Sequence, residues 1–399
     1  MNRTFLPSLP SVGVELEWQL VDAETFDLRA GITPLAELLA DDPCVKPELL
    51  QTALETITTP HESTVALRSE LRDRVARTVE AAARLGIVLV GAGTHAFSER
   101  LIPVTPLPRY LAIEQSQGYL ANAYVAYSLQ VHVGMPSAEV AIRVMREMRG
   151  FVPVLIALAS SSPFYRGCST PFASCRQHIL SSSRSSGMPP LFEDWAAFLQ
   201  FLDVVERAGM FGSYRDIHWG VRLRPDFGTI EVRIMDAQPT LERSIALAAL
   251  VHSLLVHLAS EGPFDPRLVR ALPWWLEKEN AFRAAHDGVE AELVRDERGT
   301  VEPLRRLAED LFELVAPTAR ALGEDADLRA VLERPSYQEQ RTVYDRTGST
   351  RAVVRALANE LLVELGRAPL PEAEAQALSA RCRRPDRSSG SGPPCRGRR

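Results

Sequence analysis

The chain has 399 residues, 46% hydrophobic and 24% charged, an ordinary soluble globular composition with room for one large domain or two to three smaller ones. Its net charge of −6 argues against a nucleic-acid binder; residues 381–399 carry seven arginines against one aspartate, so the rest of the chain carries −12. Lys46 and Lys278 are the only lysines, which excludes a G-x-x-x-x-G-K-[ST] phosphate loop.

The first residues, "MNRTFLPSLPSVG", contain no apolar core of a signal peptide. Residues 11–21, "SVGVELEWQLV", alternate like a half-buried strand. A second strand is expected at 53–59, then a helix over 67–85. There Leu67, Leu71, Val75, Val79, Ala82 and Leu85 form one stripe ending at Gly86. Strands follow at 87–91 and 128–134, then helices near 137–149 and 151–160, the latter with Pro153 in its first turn. Residues 160–190 are too rich in Ser, Gly and Pro for a regular element, and loops of that length are usually functional or disordered. A helix at 193–208 precedes strands at 216–224 and 228–236. The helix at 240–260 opens with Thr240 as N-cap behind Pro239, and its even apolarity marks central core. Its most apolar part, residues 245–259, is too short to cross a bilayer and carries two histidines, so no membrane role is expected. Helices near 303–322 and 351–366 complete one domain, residues 1–370; residues 371–399 read as a low-complexity basic tail with no fold. Cysteines at 44, 168, 175, 382 and 395 show no metal-ligand spacing, which suits a reducing cytoplasm.

Four of these strands share a peculiarity. In the first, Glu15, Glu17 and Gln19 line one face while Val12, Val14, Leu16, Trp18 and Leu20 line the other. Gln130 and His132 share a face in "SLQVHVG", as do Glu231 and Arg233 in "GTIEVRIMD". Asp216, His218, Arg222 and Arg224 do the same in "RDIHWGVRLR". A solvated sheet face is the ordinary explanation for one such strand, but it would mix in Thr, Ser and Lys more freely. Glutamates with a histidine suit hard divalent cations, and Mg²⁺ prefers few carboxylates plus phosphate oxygens. Arginines such as Arg222 and Arg233 on that face would supply bidentate donors for those phosphates. A concave functional sheet is therefore expected.

The stretch "GIVLVGAGTHAF" outlines a dinucleotide fingerprint, G-x-G-x-x-A. That motif needs a helix directly after the glycines, which Pro103, Pro106 and Pro108 forbid, so a tight turn with the glycines at positive φ is expected instead.

"GVELEWQLVDAET", "GAGTHAF", "VTPLPRY", "LQVHVGMP", "SSSPFYRG", "RLRPDFGTIEVRIMDAQPT" and "EKENAFRAAHDGVEAELV" resemble, in order, motifs of the YbdK-type carboxylate–amine ligases of the glutamate–cysteine ligase type 2 family. The resemblance runs from about residue 10 to 365. It implies an α+β catalytic fold like that of glutamine synthetase and the guanidino kinases, a curved antiparallel sheet flanked by helices whose concave face holds ATP and Mg²⁺, with Mn²⁺ as a substitute. It implies an ATP-dependent, ADP-forming ligase that makes an amide through an acyl phosphate, with L-glutamate and L-cysteine as reference small-molecule substrates, in the cytoplasm. Self-association as a dimer stays open, as do two other readings, a phosphotransferase of the same fold and a non-catalytic binding protein. Glu15, Glu17, Glu55, His132 and Glu231 take metal-binding roles by this resemblance, with Arg233 facing the transferred phosphate and Glu231 and Arg233 as the catalytic pair. Arg166 and Arg176 match positions that hold substrate carboxylate or phosphate. Departures are visible. Gln130 stands where the family has the first His of H-V-H, and its amide oxygen would coordinate Mg²⁺ more weakly. Ser161 replaces an Asn and Cys175 a Tyr, which bears on substrate identity.

Overall fold

Strand β1 (Val12–Asp22) lies at the centre of a seven-stranded sheet. Its partners are β2 (Val45–Pro47), β3 (Ala53–Ile57), β4 (Ile87–Val90), β5 (Ser128–Gly134), β6 (Val221–Arg224) and β7 (Thr229–Asp236). The order is β6-β7-β5-β1-β3-β2, with β4 on the C-terminal half of β1, and every pairing is antiparallel. The computed structural model describes residues 4–181, 185–260, 272–324 and 327–371, so the expected tail beyond Pro371 lies outside the described residues.

Register makes the polar face. Glu17 stands opposite Glu55, Glu15 opposite Gln130, His132 opposite Glu231, and Glu231 opposite Arg222. Directly opposed residues in an antiparallel pair share a face, so the four polar stripes merge into one patch. A bulge in β7 sets Arg233 and Ile234 both against Gln130. Such a bulge shifts the alternation that follows it: Arg233 keeps the polar face of Glu231, and Met235 falls opposite core Leu129. The other face carries Val12, Val14, Leu16, Leu129, Val131, Val133, Ile230 and Val232, all in the main core. Helices Thr64–Ala83, Ala138–Met148 and Leu241–Ala259 pack on these strands, giving the expected α+β architecture.

Ser63, Ser137, Asp194, Thr240 and Ser349 cap their helices by accepting a bond from an amide three residues on. Helix Leu241–Ala259, at 19 residues, is long and apolar enough to span a bilayer, so length does not exclude it as the 245–259 stretch suggested. It is mostly buried, and His252 inside it is satisfied by Glu324 at 2.7 Å and the Pro10 carbonyl at 2.9 Å.

Three departures from expectation matter for the site. Helix Pro108–Gln117 forms because Pro108 sits in its first turn, where the missing N–H costs nothing. Helix Trp274–Asp287, unmarked by periodicity, leaves Trp274, Trp275 and Phe282 exposed while burying Leu276 and Ala284. The strand expected at 216–224 divides: Tyr214–Asp216 is a 3-10 turn, His218–Trp219 pairs in parallel with Ser186–Gly187, and β6 resumes after Gly220.

Gly91 and Gly93 correct another expectation. Neither has positive φ. They are glycines because the chain passes too close to its neighbours: a Cβ on Gly91 would lie 1.9 Å from the Gln238 carbonyl oxygen, and one on Gly93 2.5 Å from the Asp236 carboxyl carbon. Gly91→Ala is expected to cost about 1–3 kcal/mol, the range for overpacking. Urea unfolding measures it, and an unchanged midpoint would contradict this packing.

Candidate active site

The polar patch floors a cavity of about 1020 Å³, at the upper end of ordinary ligand sites. Helix Pro108–Gln117, the short helix Arg176–Leu180 and helix Trp274–Asp287 contribute walls.

Two groups of ligating side chains lie on this patch; Glu15, Glu17, Glu48 and Glu55 line the cavity, while His132 and Glu231 are not among its lining residues. Glu15, His132 and Glu231 offer oxygen and nitrogen atoms within 4.8 Å of one another, and Glu17, Glu48 and Glu55 form a second set by the same measure. In the first, His132 Nε2 lies 3.2 Å from Glu15 and 3.9 Å from Glu231, while its Nδ1 lies 3.1 Å from the Thr229 hydroxyl, which fixes the ring. Burial alone would raise the Glu15 carboxyl, but the His132 hydrogen bond and charge outweigh it and hold it at about 2. The second set lacks such compensation. Burial and the Glu17 charge push Glu48 up to about 7, and burial with Glu15, Glu48 and Glu17 pushes Glu55 well above the usual range. Glu17 is also raised by burial, against the pull of Arg176. Three mutually repelling carboxyls in one pocket are a donor set that a divalent cation would satisfy.

Gln130 joins the two groups. Its amide nitrogen donates to Glu17 at 2.8 Å and its oxygen accepts from Arg233. Glu231, with no exposed surface, is gripped by the Arg222 fork at 2.7 and 2.9 Å, by Arg224 at 3.4 Å and by Arg233. Burial would raise its carboxyl, yet Arg233 and Arg222 hold it far below the usual carboxylate range. Burial works against the Arg233 cation, but Glu231 and Glu15 more than restore it, so Arg233 stays charged. Arg176 donates to the carbonyls of Ile234 and Arg233, both at 3.2 Å; its buried Nε has no partner among the described residues.

The fold therefore brings Glu15, Glu17, Glu55, Gln130, His132, Arg176, Arg222, Glu231 and Arg233 together. Arg166 is elsewhere: it does not line the cavity, and its guanidinium lies 5.5 Å from the Tyr165 ring centroid. Glu48 was missed. It follows a three-residue strand, too short for alternation to mark a face. Tyr110, Tyr124 and His218 also line the cavity.

The family described as Glutamate-cysteine ligase family 2 matches residues 11–359. The chain belongs to that family. A relative from Trichormus variabilis, a glutamate–cysteine ligase 2 by provisional name, is 40% identical over 368 residues, covering 89% of this chain and 93% of its own. One from Rubrobacter xylanophilus, provisionally named glutamate–cysteine ligase 2-3, is 36% identical over 370 residues, covering 90% of this chain and 99% of its own. Among solved structures, the glutamate–cysteine ligase of Francisella tularensis in complex with AMP superposes with a TM-score of 0.66 at 14% identity, covering 92% and 91% of the two chains. That likeness shows a shared fold.

Two of this family member's departures lie behind the cavity wall. Ser161 bonds Ser336 at 2.8 Å and Gln340 at 3.1 Å, and Cys175 is buried with its thiol pushed up to about 11 by burial and Asp236; neither lines the cavity. Gln130 alone of the three faces it.

Proposed function

We propose that the protein is an ATP- and Mg²⁺-dependent ligase that joins a small-molecule carboxylate to an amine through an acyl phosphate. The observation that carries this reading is the pair of carboxylate groups bridged by Gln130 and flanked by Arg233, Arg222 and Arg176. Divalent cations held by the two groups would neutralise the phosphate charge. Glu15, His132 and Glu231 would hold one, and Glu17, Glu48 and Glu55 another. Arg233 would lie along the transferred phosphoryl group, stabilising charge that builds on its oxygens. Arg176, with its unpartnered Nε, would take a substrate carboxylate or phosphate oxygen.

The substrate carboxylate oxygen attacks the γ-phosphorus, the bond to the ADP oxygen breaks, and an acyl phosphate results. The amine nitrogen then attacks the acyl carbon and phosphate leaves with the bonding pair. L-Glutamate and L-cysteine are the first pair to try. The three described cysteines are free, which suits action in a reducing cytoplasm. ADP release that depends on the acid, the amine and Mg²⁺ tests the reading, and its absence across a panel of amino acids and amines would count against it.

Cation binding carries a pH signature. Carboxyls ligate only when deprotonated, and Glu48, at about 7, and Glu55, raised well above the usual carboxylate range by burial and its acidic neighbours, compete with protons for the metal. Mn²⁺ affinity should therefore rise at least about tenfold from pH 6 to pH 8, with protons released on binding. Calorimetry in two buffers of different ionisation enthalpy measures both, and an affinity independent of pH would contradict the assignment.

A further inference from the structure

The second half-reaction needs something that the phosphate-binding residues cannot supply. An amine near neutral pH is an ammonium, with no lone pair to attack an acyl carbon until a proton has gone. The cavity offers few acceptors. Glu15 and Glu231 are committed to His132 and to the arginines, while Glu17, Glu48 and Glu55 form the second candidate cation set. Burial keeps the phenols of Tyr110 and Tyr124 protonated, the latter raised to about 12. His178 is packed against Phe172 and Phe282, with ring centroids 4.0 and 5.6 Å away.

His218 is different. Its strand crosses the cavity wall just before Gly220, whose carbonyl accepts the Arg233 amide at 2.7 Å. Its backbone amide donates to the Ser185 carbonyl at 3.0 Å, and its Nδ1 lies 2.8 Å from the Ser185 hydroxyl, so backbone and ring are both fixed. The ring opens onto the cavity, and Nε2 has no hydrogen-bond partner among the described residues. With Nδ1–H donating to the Ser185 hydroxyl oxygen, the neutral ring keeps the Nε2 lone pair free to take up a proton. The charges facing it are Arg233 from β7, Arg222 from β6, Arg109 from helix Pro108–Gln117 and Asp216 from the preceding turn. The ring is exposed to the cavity, but desolvation by the packing around it, then Arg233 and Arg222, push its pKa down to about 4, so it waits as a neutral imidazole. Bound nucleotide phosphates and the phosphate of the acyl intermediate would offset those two arginines and make the ring more basic when the amine arrives.

We propose that His218 is the base of the amide-forming step, accepting at Nε2 the proton of the incoming ammonium. The N–H bond breaks toward Nε2, the freed lone pair forms the bond to the acyl carbon, and the carbon–oxygen bond to phosphate breaks with its electrons. The departing phosphate takes the second proton that the nitrogen loses in becoming an amide, and the imidazolium passes its own proton to water.

This rests on the ligase reading, and hydroxylamine separates the two. It is uncharged at pH 7 and needs no deprotonation before attack, so it reports acyl phosphate formation alone. With L-glutamate, ATP and Mg²⁺, His218→Gln and His218→Ala should form hydroxamate within about threefold of the unaltered protein. With L-cysteine as the amine, γ-glutamyl amide formation should fall at least about 10²-fold at pH 7, as expected for loss of a general base. The His218→Ala amide rate should recover as pH rises toward 9 and free amine accumulates, and imidazole in solution should partly restore it. Equal losses of hydroxamate and amide would mean that His218 serves the phosphoryl step or the fold, and undiminished amide formation at pH 7 would mean that it is no base; either overturns the proposal. No hydroxamate from the unaltered protein would sink the ligase reading and this inference with it.

Discussion

Glu231→Gln is expected to lower turnover by at least about 10²-fold, since losing a partner that merely orients a metal ligand already costs 10–100-fold. Sequence pattern alone suggests an intact fold in this variant, because the side chain lies on the polar face and contributes no apolar volume. The geometry adds a stability cost. Arg222, Arg224 and Arg233 all converge on this one buried carboxylate, and an amide would leave three guanidinium groups facing each other without its charge. Breaking a buried ion pair from one side costs about 3–5 kcal/mol. Activity should therefore be read on protein shown to be folded by circular dichroism, with Glu231→Asp as the charge-preserving control. Near-normal turnover in folded Glu231→Gln protein would remove Glu231 from the site.

Arg233→Lys should cost about 10²–10³-fold in turnover, the range for removing one donor aimed at developing charge. A lysine keeps the charge but not the planar fork. Arg233 holds Glu231 and Gln130 together, and Gln130 in turn holds Glu17, so one guanidinium sets the spacing between both carboxylate groups. An ammonium reaches one partner at a time. The loss should fall on the maximal rate more than on the KM for ATP, because the cations and Arg176 would still grip the nucleotide. A change confined to KM would make Arg233 a ground-state binding residue.

The site was legible in the sequence where its residues sit on strands of full length. Alternation in β1, β5 and β7 separates Glu15, Glu17, Gln130, His132, Glu231 and Arg233 from the core residues between them, and the sheet register then joins them. Where alternation has no room, the reading fails. Glu48 follows a strand of three residues, Val45–Pro47, and is placed by pairing with β3, a long-range fact. Arg166 rests on motif position alone; its backbone is left-handed, φ 51°, and it does not line the cavity. The 216–224 stretch alternates perfectly, yet it breaks at Gly220, where a Cβ would lie 2.7 Å from Ile234. That break separates His218 from the ladder carrying Arg222, and local pattern does not show it. Helix Trp274–Asp287 has no clean stripe because one side of it faces the cavity through Lys278 and Phe282.

Trapping the activated acid tests the central claim most directly. The protein, loaded with Mg²⁺ and ATP, is incubated with hydroxylamine and L-glutamate, then with other amino acids and simple aliphatic and aromatic acids in turn. An acyl phosphate would be intercepted as a hydroxamate, scored by its coloured ferric complex, in step with ADP release. We expect that product with at least one acid, dependent on ATP and Mg²⁺ and lost in Glu231→Gln. ADP release accompanied by a phosphorylated nitrogen and no hydroxamate, or neither product from folded, metal-loaded protein across the panel, would contradict the ligase account.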